Sequence, residues 1–137
     1  MLSRLQPYSA QFYFVFRVLA GLLFLQHGLQ KVFGMFGGIG GGSLISGGLP
    51  PLMILAGIIE FAGGLAIIFG LFARPAALIA ALEMIVAYFI VHAPQGPVPL
   101  LNQGELVILY VAAFMVILAQ GAGKLSLEKA LFKKELA

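Results

Sequence analysis

Two glutamates lie inside long apolar segments of this sequence, where a charged side chain is costly. Glu60 lies within Leu52–Ala73, and Glu83 lies within Ala76–Val91. Both segments approach the roughly 20 residues with which a helix crosses about 30 Å of hydrocarbon. A carboxylate near the middle of such a span is unfavourable by several kcal/mol unless it is paired, protonated or hydrated. The two glutamates are therefore candidates for proton exchange or for ion pairs inside a membrane.

Basic side chains are placed to accompany these acids. Arg17 and Lys31 share one helical stripe of the first apolar segment with two glycines, because the spacings alternate between four and three residues. We expect Arg17 to be buried against an acidic residue, with Glu60 as the favoured partner. Such a pair either specifies helix packing or exchanges protons, and the sequence leaves both open. The candidates for buried ion pairing or proton exchange are Arg17, Glu60, Glu83 and Arg74.

A second polar set is expected at the opposite end of the helices from Arg17. A histidine donates or accepts a proton near neutral pH, and a lysine or glutamate hydrogen-bonds a carbonyl oxygen. These residues suit the head group of an amphipathic ligand such as a quinone. The head-group candidates are His27, Lys31, Glu105 and Asn102, with His92 beside them. The alternatives are a purely structural Lys31–Glu105 ion pair, and side chains that merely extend to the interface.

A metal site is not expected from these residues. The possible ligands are His27, His92 and Glu105, and no two of them share a helix at a spacing of four residues. Cysteine is absent, which excludes a disulfide, a thiolate metal site and a dithiol relay formed by this chain's own residues. No intrinsic prosthetic group is predicted.

The composition indicates a membrane protein. The 137 residues are 61% hydrophobic and 9% charged, and the mean hydropathy is +1.07. Soluble domains are about 45–50% apolar and about 25% charged. The length allows one domain over residues 1–137. The net charge of +3 does not indicate a nucleic-acid partner, because the distribution of basic residues is accounted for by membrane topology.

Four apolar segments predict an all-α membrane protein, an antiparallel bundle of four transmembrane helices. Glycines dominate the first break, Gly34–Gly48, which we expect to be a mobile loop. Prolines stiffen the third break, and Asn102 is the expected N-cap of the last helix. The tail over 125–137 alternates apolar residues with lysines, as in a short amphipathic helix at the membrane surface. The predicted helices are Phe12–Phe33, Leu52–Phe72, Ala76–Val91 and Gly104–Gln120.

The distribution of basic residues predicts the orientation. Six flank one side of the four segments, namely Arg4, Arg74, Lys124, Lys129, Lys133 and Lys134, whereas Lys31 alone flanks the other. The excess of Lys and Arg in cytoplasmic segments therefore predicts cytoplasmic termini and an inner-membrane location. The glycine-rich loop is then outside.

Several motifs, in this order and spacing, resemble the DoxX family of small four-helix membrane proteins. They are Arg17-x3-Gly21-x6-Gly28-x2-Lys31, Glu60-Phe-Ala-Gly-Gly-Leu65, Arg74-Pro-Ala-Ala77 and Asn102-Gln-Gly-Glu105. The resemblance implies a four-helix bundle in the bacterial cytoplasmic membrane. Relatives are associated with thiosulfate:quinone oxidoreduction, with oxidative-stress complexes, or with quinone and catechol detoxification. The fold is also similar to the vitamin-K-epoxide-reductase bundle, but that chemistry requires a cysteine pair that this sequence lacks.

Three functional hypotheses follow from these observations. The first is a quinone- or lipid-binding subunit of a redox or detoxification process, at most an oxidoreductase subunit that works with a redox partner protein. The second is a non-enzymatic assembly or scaffold protein in which every buried charge is structural. The third is a small proton-coupled transporter. Membrane lipids are the expected surroundings, and the oligomeric state is left open, a homo-oligomer included.

Overall fold

The computed structural model describes residues 2–133, with side chains from residue 5 onward, as a helical bundle. Three stretches are long and apolar enough to span a membrane, Leu5–Phe33, Pro51–Phe69 and Ala73–Gln95. The last long helix has 16 residues, a rise of about 24 Å. The prediction of an all-α membrane bundle is confirmed. The α-helices are α1 (Ser9–Phe33), α2 (Pro51–Phe69), α3 (Ala73–Ala87), α4 (Glu105–Gln120) and α5 (Leu127–Phe132).

Helix boundaries follow local backbone chemistry. Glycines with positive φ, Gly34 (72°) and Gly70 (64°), end α1 and α2, because only glycine adopts this conformation without a steric cost. Pro75 lies in the first turn of α3, where a missing N–H is tolerated. A π-helical turn, Tyr88–His92, extends α3.

The start of α4 differs from the prediction. Gly104 is the N-cap, and Glu105 is the first helical residue. Asn102 is instead fully buried in the preceding loop, where its Oδ1 accepts a hydrogen bond from the Gly104 N–H at 2.8 Å. The side chain therefore fixes the loop rather than the first turn of the helix.

Glycines bring α1 and α2 into backbone contact. A Cβ atom at Gly28 would lie 2.3 Å from the Phe61 nitrogen, and one at Gly64 would lie 2.9 Å from the Leu25 Cα. Small residues allow this close approach in membranes, where packing drives helix association. The tight α1–α2 pair lies beside a second pair formed by α3 and α4, which pack on each other more closely than α2 packs on α3. The seam between the two pairs is the loosest part of the bundle.

The end of the bundle that holds the α2–α3 turn and α5 is called the terminal end, and the opposite end is the loop end. At the terminal end, Arg17 is 1% exposed. Its Nη1 donates to the carbonyl oxygens of Ile67 and Ile68, and its Nη2 donates to that of Leu125 at 2.7 Å. A cation at the last carbonyls of a helix is favourable. The prediction of an Arg17–Glu60 ion pair is wrong, because Arg17 lies against the C-terminus of α2 instead.

Arg74 closes a second helix end in the same way. Its Nη1 donates to the carbonyl oxygens of Leu118 and Ala119, at 2.9 and 3.3 Å. These are among the last residues of α4. The structure therefore places both candidate arginines at helix C-termini of the terminal end, away from the two buried glutamates.

The tail is docked onto the terminal end. Glu128 is 1% exposed, and its carboxylate accepts a hydrogen bond from the Phe72 N–H at 3.1 Å. Ser126 caps α5 by accepting a hydrogen bond from the Lys129 N–H at 3.2 Å. A short helix over part of the predicted 125–137 tail is therefore present, and residues 134–137 lie outside the described residues.

The glycine-rich loop, expected to be mobile, is hydrogen-bonded to the end of α1. The Leu44 N–H donates to the Lys31 carbonyl at 2.7 Å, and the Ile45 N–H donates to the Val32 carbonyl at 3.2 Å. Gln30 Nε2 donates to the Gly38 carbonyl at 3.0 Å. The loop thereby covers the loop end of the bundle.

Candidate functional site

A cavity of about 600 Å³ opens between the two helix pairs at the loop end. Its wall is formed mainly by aliphatic side chains of α2, α3 and α4, together with Ile39 of the glycine-rich loop. The lining residues that carry polar side chains are His27, Lys31, Glu60, Glu83, His92, Gln103 and Tyr110. We call this space the loop-end cavity. It brings together four sequence-predicted site residues, His27, Lys31, Glu60 and Glu83.

An ion pair forms one wall of the cavity. Lys31 Nζ lies 2.5 Å from Glu60 Oε1 and 2.6 Å from Oε2. The side chains are 14% and 3% exposed, respectively. The partner of Lys31 is therefore Glu60 and not Glu105, as the structural alternative had it. Each charge satisfies the other in surroundings where either alone would be costly.

The geometry of α1 and α2 explains this pairing. Side chains on a helix tilt toward its N-terminus, so Lys31, near the end of α1, extends back toward the middle of the bundle. Gly57 leaves room for the lysine stem, since a Cβ there would lie 2.7 Å from the Lys31 Cβ. Glu60 lies one turn further along the antiparallel α2 and meets the ammonium group.

Two rings complete this wall. The His27 ring lies one turn before Lys31 and edge-on to the Tyr110 ring, with centroids 6.0 Å apart at 82°. Tyr110 is in turn held by Phe24 and Phe114, with centroids 5.5 and 5.6 Å away. Sequence reasoning missed Tyr110. The available signal was that its hydroxyl is the one polar side-chain group between Glu105 and Gln120.

Glu83 lies on the opposite side of the seam, on α3. Its side chain lines the cavity, and its Oε2 is buried with no hydrogen-bond partner among the described residues. The charges of Glu60 and Lys31 both act on it. A single lysine therefore faces two carboxylates, and it hydrogen-bonds only one of them.

The other head-group candidates have different positions. Asn102 Nδ2 donates to the Gly96 carbonyl at 2.7 Å, so its amide organises the proline-rich loop. Glu105 is exposed at the start of α4 and does not line the cavity. His92 does line it, with Nδ1 at 2.9 Å from the Asn102 carbonyl. Because a carbonyl only accepts, Nδ1 carries the proton and Nε2 of a neutral His92 is an acceptor.

The cavity combines an apolar volume with groups that hydrogen-bond oxygen atoms. Within residues 2–133, no group of three or more histidine, aspartate or glutamate side chains is arranged to hold a metal ion. The ammonium group, imidazole and phenol are donors, and the second carboxylate is an acceptor. This arrangement suits the binding of a small polar head group attached to an apolar body.

The ion pair gives a stability prediction. Lys31→Met should lower the free energy of unfolding by about 3–5 kcal/mol, because Glu60 is left buried and unpaired, while Lys31→Met with Glu60→Leu should recover most of this loss. Thermal unfolding in detergent, followed by circular dichroism, measures both effects. Arg17→Met with Glu60→Leu serves as the control, since the two residues do not interact and their effects should add. Additive effects for Lys31 and Glu60 would contradict the pair.

Comparison with known proteins gives the family. The DoxX family model matches residues 12–93, more than half of the chain. A Haemophilus influenzae protein described as uncharacterized is 35% identical over 136 residues, which cover 97% of this chain and 100% of the relative. No solved structure matches. The fold, the apolar helices and these matches together show that the chain belongs to the DoxX family of membrane proteins.

Proposed function

We propose that this integral membrane protein binds a quinone, or a lipid of similar shape, in the loop-end cavity as a subunit of a redox or detoxification process. The observation that carries the proposal is the Lys31–Glu60 pair on the wall of an otherwise apolar cavity. A redox partner protein would carry out electron transfer, because this sequence has no cysteine pair of its own.

The size and opening of the cavity support a lipid-soluble ligand. Its volume of about 600 Å³ is within the roughly 300–1,000 Å³ of typical small-molecule sites. Leu55 on α2 and Leu82 on α3 line the cavity and are also more than half exposed on the outside of the bundle. The seam therefore opens sideways, toward the bilayer. A ligand with an apolar tail would enter without crossing water.

The polar groups support a head group with oxygen acceptors. An ammonium group has three donors, and Glu60 takes two of those of Lys31. The third is available for a ligand carbonyl. His27 and the Tyr110 hydroxyl lie beside it, so one carbonyl oxygen would meet several donors.

The depth of the cavity favours binding over transport. Its lining residues all come from the loop-end halves of the helices. Phe24 and Phe114 pack edge to face in the core with centroids 4.7 Å apart, and both are fully buried. A transporter needs a path across the bundle, whereas this cavity ends among packed rings. The scaffold alternative requires no ligand, and a binding measurement distinguishes it.

We further propose an inner-membrane location with both termini in the cytoplasm. The terminal end carries Arg17, Arg74, Lys124, Lys129 and Lys133, whereas Lys31 is at the loop end. This asymmetry matches the cytoplasmic excess of basic residues in membrane proteins.

Cysteine labelling tests this orientation. The chain has no native cysteine, so Ser46→Cys and Lys124→Cys each introduce a single thiol at an exposed position. In intact cells, an impermeant maleimide should label the first and not the second. Permeabilised cells are the control and should show both labelled. Labelling of Lys124→Cys alone in intact cells would reverse the topology.

Titration of a short-chain benzoquinone into the protein in nanodiscs tests the proposed function. Calorimetry should detect binding to the native chain and a loss of at least about tenfold in affinity in the double variant Lys31→Met, Glu60→Leu, since each lost hydrogen bond to a charged group is worth about 1.5–3 kcal/mol. Replacing both members of the pair keeps the fold, because no charge is left buried alone.

The matched control removes one lysine and one glutamate away from the cavity. Lys124→Met with Glu105→Gln changes two exposed residues and should leave the affinity unchanged. No detectable binding to the native protein, or equal affinity in the two double variants, would contradict the proposal. The second result would favour the scaffold hypothesis, in which the ion pair is structural.

A further inference from the structure

We propose that Glu83 selects ligands whose head group donates a hydrogen bond, so that the cavity prefers a quinol to the corresponding quinone. The inference rests on the proposed function and adds the redox form of the ligand and the residue that distinguishes it. Its basis is the unequal state of the two carboxylates that face the seam.

Glu60 is already satisfied and Glu83 is not. Both oxygens of Glu60 accept from Lys31 Nζ. Glu83 lines the same cavity, yet its Oε2 is buried with no partner among the described residues. A buried acceptor that lacks a donor is unfavourable. A donor supplied by the ligand would remove that cost, so binding energy is available at Glu83 to a ligand of the right chemistry.

The two redox forms differ in the group that they offer to a carboxylate. A quinol hydroxyl donates a hydrogen bond, and such bonds to a charged acceptor are among the stronger ones in proteins. A quinone carbonyl has only lone pairs and would face the carboxylate with like partial charge. Lys31 donates to an oxygen in either form, so it contributes affinity without discrimination. Glu83, an acceptor when ionised, therefore discriminates between the two.

A comparison of three ligands on the native protein in nanodiscs tests this selection. They are a short-chain benzoquinone, its quinol, and the dimethyl ether of the quinol, which keeps the ring and tail but has no donor. The quinol can be kept reduced anaerobically with borohydride, because the chain has no cysteine for reductants to alter. Calorimetry should give a Kd for the quinol about tenfold or more below those of the other two.

Substitution assigns the selection to Glu83. Glu83→Gln offers both a donor and an acceptor, so the quinol and the quinone should bind with Kd values within about twofold of each other. Glu105→Gln, an identical change at an exposed residue outside the cavity, should keep the native preference. If Glu83→Gln does not fold, the three-ligand comparison on the native chain still decides.

The outcomes separate this inference from the proposed function. Equal Kd values for quinol and quinone, or an ether that binds as tightly as the quinol, would overturn the selection while leaving ligand binding in place. An alkylammonium of matched tail length that displaces the quinol at about tenfold lower concentration would show that Glu83 takes a cation, which also overturns it. Binding of none of these compounds would overturn both.

Discussion

The Lys31–Glu60 ion pair is the interaction on which the arrangement of the loop end depends. A lone charge in hydrocarbon is unfavourable by several kcal/mol, and the attraction between opposite charges is stronger in surroundings of low dielectric constant. The pair therefore tolerates little displacement of α1 along α2. The glycine contacts enforce the same register, since Gly28 and Gly64 each admit the backbone of the opposite helix and would not admit a side chain there. Packing and electrostatics thus select one alignment.

That alignment divides the bundle into two ends with different roles. At the terminal end, Arg17 joins α2 to the tail through main-chain carbonyl oxygens, and the buried Glu128 binds the α2–α3 turn. These contacts hold the helices together below the ring layer of Phe24 and Phe114. At the loop end, α2 and α3 are less closely packed, and the seam between them widens into the loop-end cavity. A closed terminal end with an open seam is suited to holding a ligand within one half of the membrane.

The sequence predicted the helices well and the side-chain partners poorly. Hydropathy and breaks at Gly34 and Pro75 located the helices, because an unpaired backbone in a membrane must be helical or leave the bilayer. Helical periodicity also placed Lys31 and Glu60 on facing stripes. It could not assign depth along the helix axis, which depends on the α1–α2 register, and so Arg17 was matched to Glu60 although Lys31 holds that position.

The remaining differences have similar physical origins. Asn102 has the residue type and spacing of an N-cap, but long-range contacts with the proline-rich loop take its hydrogen bonds. Tyr110 gave a weak signal, because a tyrosine in a transmembrane helix is usually part of the apolar packing. The cavity itself depends on how closely α2 approaches α3, a property of the whole bundle that no single segment encodes.

The most direct test of the account is photoaffinity labelling with a short-chain azidoquinone, followed by mass spectrometry of the digested protein. The account predicts adducts on the lining segments of α2 and α3, residues 52–60 and 79–92, that an excess of unlabelled quinone suppresses and that the variant Lys31→Met, Glu60→Leu largely lacks. Adducts confined to lipid-facing side chains far from the cavity, such as Phe12 and Leu19, or adducts insensitive to competitor, would contradict it.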